Sequence, residues 1–103
     1  MDAGDFNNVA KILESGAIDV GATPTPIRIT NPLQEGAEYI VITNDSNEIF
    51  YVGDSSVAVS GSSKGTPLRK RQSRIIDALD LTYIVSGVLE TNGLIVEIWG
   101  VDA

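Results

Sequence analysis

After Pro26 the chain breaks into seven short apolar runs, "IRIT", "EYIVIT", "EIFYVG", "VAVS", "SRII", "TYIVSG" and "LIVEIW". Valine, isoleucine, tyrosine and phenylalanine dominate them, the residues that suit a pleated, half-buried surface. Between the runs stand "NP", "EG", "NDSN", "GDSS", "GSSKG" and "TNG", whose glycine, proline and Asx residues favour turns. No intervening segment is long and periodic enough for a crossover helix, which parallel pairing would require. The pattern predicts an all-β chain, a small antiparallel β-sandwich or barrel. Residues 76 to 81, "IDALDL", are expected to form a single helical turn.

The first residues read differently. Phe6, Val9, Ile12 and Leu13 recur at helical spacing, Asp5 or Asn7 can cap the start, and Gly16 suits a left-handed stop. A short amphipathic helix follows, below the roughly 12–15 residues that are even marginally stable alone in water. Its apolar stripe should dock, either on its own domain or on another chain. "GATPTP" then favours an extended, hydrogen-bond-poor linker. The expected division is an arm over residues 1–26 and a β-sandwich domain over 27–103. At 103 residues, one compact domain with a short appendage is what the length allows.

Two runs are apolar on both faces. Tyr39 and Val41 alternate with Ile40 and Ile42, and Leu94, Val96 and Ile98 alternate with Ile95, Trp99 and Val101. A sandwich strand needs only one buried face. The second face is left for the arm and loops or for a neighbouring subunit, and one small domain has little else to cover it.

A net charge of -7, with 7 basic against 14 acidic residues, argues against free nucleic acid as a partner. No cysteine is present, so there is no thiolate nucleophile or thiolate metal site. No apolar run approaches the roughly 20 residues of a membrane helix, and "MDAGDFNNVAKILESG" lacks the basic start and apolar core of a signal peptide. The expectation is a chain made in the cytoplasm, with no membrane partner and no cofactor.

Enzymatic readings find little support. "GDSS" resembles a serine-esterase block, but no histidine is available to take the serine's proton. In "GSSKGT" the lysine precedes the glycine, unlike a phosphate loop. "NDSNE" has part of a calcium-loop alternation in Asp45 and Asn47, without its glycine and terminal glutamate. The aspartates Asp77 and Asp80 lie in a turn-like segment where acids commonly serve solvation.

Charge segregation is the exception. Lys64, Arg69, Lys70, Arg71 and Arg74 are five of the seven basic residues, and no acid interrupts residues 64 to 74. On a strand, Arg69 and Arg71 would share one face and guard a sheet edge against unwanted pairing. Alternatively the strip docks on an acidic protein surface, with charge fixing register more than adding affinity.

The stretches "IFYVGDSSVAVSGSSKGTPL" and "IDALDLTYIVSG" resemble a group of small tailed-bacteriophage structural proteins. These carry an aromatic-Val-Gly turn, a valine-bearing strand, a Gly-x-Pro-Leu step and an Asp-Leu-x-x-(Tyr)-Val strand in that order. The resemblance covers about residues 49 to 101. It puts Tyr51, Val52 and Gly53 in the turn block, Gly65, Pro67 and Leu68 in the Pro-Leu step, and Asp80, Leu81, Tyr83 and Val85 in the later strand, all structural. It implies a non-enzymatic virion component, a head decoration or cement protein that contacts the major capsid protein as a homo-oligomer, a trimer, on the head surface. Tail- or fibre-associated host-recognition modules look similar. Where the group has a Pro-Gly turn after the leucine, this chain has "RKRQSR", the segment marked for a specific contact. With the arm's Phe6, Val9, Ile12 and Leu13, the residues Lys64, Arg69, Lys70, Arg71 and Arg74 are the expected capsid or subunit contacts.

Overall fold

The computed structural model describes residues 10–29, 35–87 and 91–101. They form eight strands: β1 (Lys11–Val20), β2 (Thr25–Pro26), β3 (Ala37–Asn44), β4 (Phe50–Gly53), β5 (Thr66–Leu68), β6 (Ser73–Asp77), β7 (Tyr83–Ser86) and β8 (Thr91–Gly100). Two four-stranded sheets result, ordered β1-β8-β3-β6 and β2-β7-β4-β5, with every strand pair antiparallel. They pack as a sandwich, and no helix occurs among the described residues.

Period-two alternation builds the core. In β3, Ile40 and Ile42 turn inward; in β8, Leu94, Val96 and Ile98 do the same. Phe50, Val52, Leu68 and Ile84 meet them from the second sheet, with Val20 and Ile27 closing the cluster. Burying an aliphatic or aromatic side chain of this kind contributes roughly 1.5–3 kcal/mol.

The described part of the expected N-terminal helix is a strand. Ile12 pairs with Trp99, and Leu13 falls in a register shift between Ile12 and Glu14. From Gly16 the strand continues through Ile18, which pairs with Leu94, to the buried Val20. A helix this short has no stability of its own, whereas the ten-residue β8 presents a full edge for β1 to pair with. Phe6 and Val9 lie outside the described residues. Within the span expected to be an arm, β1 and β2 are strands of the two sheets, so from Lys11 on that span is part of the sandwich.

Three further differences are local. "IDALDL" makes no helical turn: Asp77 ends β6, and its Oδ1 accepts the Leu79 N–H at 2.8 Å as the chain bends. Ile27, Arg28 and Ile29, the described residues of "IRIT", are not in a strand; the pairing with β7 is made by Thr25 and Pro26 just before them. "VAVS" contributes only an isolated bridge between Ala58 and Lys64, with Val57 buried.

Candidate functional site

The basic stretch divides into three parts. β5 stops at Leu68 and β6 begins at Ser73, so Arg69, Lys70 and Arg71 sit in a connecting turn and not on a strand. The Gln72 N–H donates to the Arg69 carbonyl at 3.0 Å and closes a four-residue turn. The Gln72 side-chain oxygen accepts the Arg69 N–H at 2.7 Å. At the third position Arg71 has φ +66°, a left-handed conformation that strongly favours glycine or asparagine. All three cations are exposed. The cations stand at a turn apex, so the strand geometry that an edge guard would use is absent from Arg69 to Arg71.

Arg74 is not part of that surface. It lies opposite Ile42 on the inward side of β6, and its Nη2 donates to the Pro67 carbonyl at 3.0 Å. That bond ties one sheet to the other at their open edge. Lys64 is separate again, its Nζ lying 5.7 Å from the centre of the Tyr51 ring.

A buried polar hub anchors the turn. Asn44, fully buried at the end of β3, donates from Nδ2 to the Leu68 carbonyl at 2.9 Å and to the Glu48 carbonyl at 2.7 Å. Its Oδ1 accepts from the Ser46 N–H at 2.9 Å and from Ser46 Oγ at 2.7 Å. On the main chain, Asn44 accepts from the Arg71 N–H at 2.6 Å and donates to the Gln72 carbonyl at 3.0 Å. One residue therefore holds the "NDSNE" loop, the end of β5 and both sides of the basic turn. Alternation in β3 points to it, since Asn44 has the parity of Ile40 and Ile42, a signal the turn-like "NDSN" obscured.

The outer face of the β1-β8-β3-β6 sheet is the second feature. Tyr39 and Val41 of β3 and Ile95 and Trp99 of β8 point away from the core and are half-buried. Ile12 and Ile75 extend the patch at 44% and 68% exposure, a contiguous apolar area of the kind that marks contact sites. The Tyr39 and Trp99 rings lie nearly parallel at 8°, with centroids 5.9 Å apart. The Trp99 indole N–H is out of solvent with no acceptor among the described residues. Glu97 on β8 and Asp77 on β6 supply acid to this face. The outward-pointing residues of its strands include no lysine or arginine.

The motif residues converge on the other sheet. Tyr51, Val52 and Gly53 lie in β4, Pro67 and Leu68 in β5, and Tyr83 and Val85 in β7, three adjacent strands. Gly65 directly precedes β5, and Asp80 and Leu81 lead into β7. Val57 packs against the two glycines: a Cβ on Gly65 would lie 2.5 Å from Val57 Cγ2, and one on Gly53 would lie 2.9 Å from it. These positions are glycine because a side chain occupies the space a Cβ needs.

Beside them is an open cleft of about 330 Å³, lined by Asp54, Ser56, Ser62, Ser63, Lys64 and Thr66 among others. Asp54 accepts from Ser56 Oγ at 2.8 Å and from the Ser56 N–H at 2.9 Å, so "GDSS" is an Asx turn. Those two bonds hold the Asp54 carboxyl below its ordinary pKa. The stabilisation they give is present above the unfolded-state pKa and lost as pH falls through the lowered one. Among the described residues no group of three or more His, Cys, Asp or Glu is placed to hold a metal ion. Comparison of the chain with protein-family models, with curated proteins and with solved structures finds no match in any of the three.

Proposed function

We propose that this chain is a non-enzymatic structural protein of a tailed-phage virion, a capsid decoration or cement protein. In this reading it binds the major capsid protein on the outer head surface as a homo-oligomer, a trimer at symmetric junctions. The observation that carries the reading is the basic turn. Lys70 and Arg71 occupy the two central positions of a tight turn, and Arg71 holds a left-handed φ that glycine would adopt at less cost. Three exposed cations at the apex of one tight turn, with no acid among them, suit contact with an acidic surface. The motif residues that resemble phage structural proteins support the reading, since they fall on the adjacent strands β7, β4 and β5 or in the segments that lead into them. A protein that binds only the assembled lattice stabilises it by linkage, without chemistry.

The test uses Arg71→Gly. Relief of the left-handed strain, roughly 1 kcal/mol, and the greater chain entropy of glycine, roughly 0.5–1 kcal/mol, nearly cancel, so stability should change by no more than about 0.5 kcal/mol. Binding to isolated heads lacking this chain, followed by co-sedimentation at about 50 mM salt, should fall several-fold, with the difference shrinking as salt rises. Equal binding by the two proteins would remove the turn from the contact.

The near-parallel Tyr39 and Trp99 rings favour a second reading, a tail- or fibre-associated module that recognises host carbohydrate on an aromatic platform. Glycan-array binding lost in Trp99→Ala would select it over the decoration reading.

A further inference from the structure

We infer that copies of this chain associate head to tail, with the Arg69–Lys70–Arg71 turn of one copy seated on the outer face of the β1-β8-β3-β6 sheet of the next. The inference rests on the homo-oligomeric part of the proposed function. It is tested on the isolated chain without heads, so it can fail while capsid binding stands; where it holds, the next copy covers the turn and Arg71→Gly weakens head binding through loss of the oligomer.

Charge decides between the possible occupants. The outer face combines the Tyr39–Trp99 pair and the exposed Ile75 with Glu97 and Asp77, and its outward-pointing residues include no base. Two such faces meeting about a two-fold axis would bring acid only against acid, which opposes binding. The turn carries the complementary charge, three exposed cations without an acid among them. It cannot reach across its own sheet to neutralise Asp77, because the two lie at opposite ends of the five-residue β6, roughly 15 Å apart. A second copy brings the two surfaces together and covers the apolar patch.

Such a contact joins different surfaces on the two partners, so it closes into a ring or propagates as a chain. Four strands about 4.8 Å apart, seven or so residues long, present roughly 400 Å² in projection. That is about half the roughly 800 Å² per partner of a standard interface, the size of a weak, transient contact.

The full chain is followed by sedimentation velocity from about 1 to 500 μM at about 50 mM salt, with the fluorescence of Trp99, the chain's one tryptophan, as a reporter on the contacted face. The expected result is a concentration-dependent rise above the 10.9 kDa monomer, weakened by salt, with a shift in Trp99 emission. Glu97→Lys, and separately the triple reversal Arg69→Glu, Lys70→Glu, Arg71→Glu, should each weaken association at least ~10-fold, since a contact between opposite charges becomes one between like charges. Mixing the two variants should restore it, because each then offers a surface of sign opposite to the other's. Glu97→Gln, which keeps size and removes charge, provides an intermediate loss if Glu97→Lys folds poorly. A monomer at every concentration overturns the inference. So does association that survives the triple reversal, which would place the contact elsewhere.

Discussion

Asn44→Ala is expected to cost about 3 kcal/mol of folding free energy and to lower Tm by roughly 15 °C. The side chain makes four hydrogen bonds at a fully buried position, two donated to the Leu68 and Glu48 carbonyls and two accepted from Ser46. Removing it takes from the Leu68 carbonyl the bond that ties it to β3, leaving only the ladder pairing with Phe50, and unpins the "NDSNE" loop. Each buried group left unmade costs about 1–3 kcal/mol, and Glu48 keeps partial compensation from Ser46 Oγ at 3.3 Å. Asn44→Asp should fare no better, since a carboxylate cannot donate to the two carbonyls. Thermal and urea unfolding of the two variants check this. A loss below about 1 kcal/mol would mean that water or loop movement replaces the hub. Because Arg71 and Gln72 bond to the Asn44 main chain, the variant should also loosen the basic turn and weaken whatever contact the turn makes.

The second large effect belongs to Gly65. A Cβ there would sit 2.5 Å from Val57 Cγ2, 2.7 Å from the Val52 carbonyl oxygen and 2.9 Å from the Val52 nitrogen. Gly65→Ala must displace a buried valine and a β4 backbone that is paired on both sides, with a cost of about 2–3 kcal/mol. The double variant Gly65→Ala, Val57→Ala separates the two clashes. It removes the side-chain overlap but not the approach to Val52, so it should recover only part of the loss after correction for Val57→Ala alone. Full recovery would show that the backbone contact is easily accommodated. The Gly-x-Pro-Leu step thus has a physical reason: β5 must pass close enough to β4 for Val57 to fill the gap.

These two residues also show where the fold was legible in the sequence. The alternation of Ile40 and Ile42 with Tyr39 and Val41, and of Leu94, Val96 and Ile98 with Ile95 and Trp99, carries β3 and β8 directly, because the pleat imposes a period of two. The same alternation exposed an apolar second face, and the structure leaves Ile12 and Ile75 on it in contact with solvent. β1 was hidden because Phe6, Val9, Ile12 and Leu13 fit a helical period. The strand is set instead by a distant edge, the ten residues of β8, which no local pattern announces. The clustering of Arg69, Lys70 and Arg71 was visible, but their geometry was not. A turn with a left-handed third residue normally shows itself by glycine or asparagine, and here arginine stands in that place. Arg74, four residues of sequence away from Lys70, serves a different end altogether by joining the sheets through Pro67.

Truncation is constrained by the same geometry. Deleting residues 1–25 as a supposed arm would remove β1 and with it one edge of the first sheet, so loss of attachment would report unfolding as readily as lost contact. The informative experiment leaves the sandwich intact and looks for the chain where it acts. Cryo-electron microscopy of the parent virion does so most directly. Sandwich density is expected on the outer head lattice, at threefold or quasi-threefold positions, with the Arg69–Arg71 turn against an acidic surface of the capsid or of a neighbouring copy. Density confined to the tail, or a particle that lacks this chain, would contradict the decoration reading.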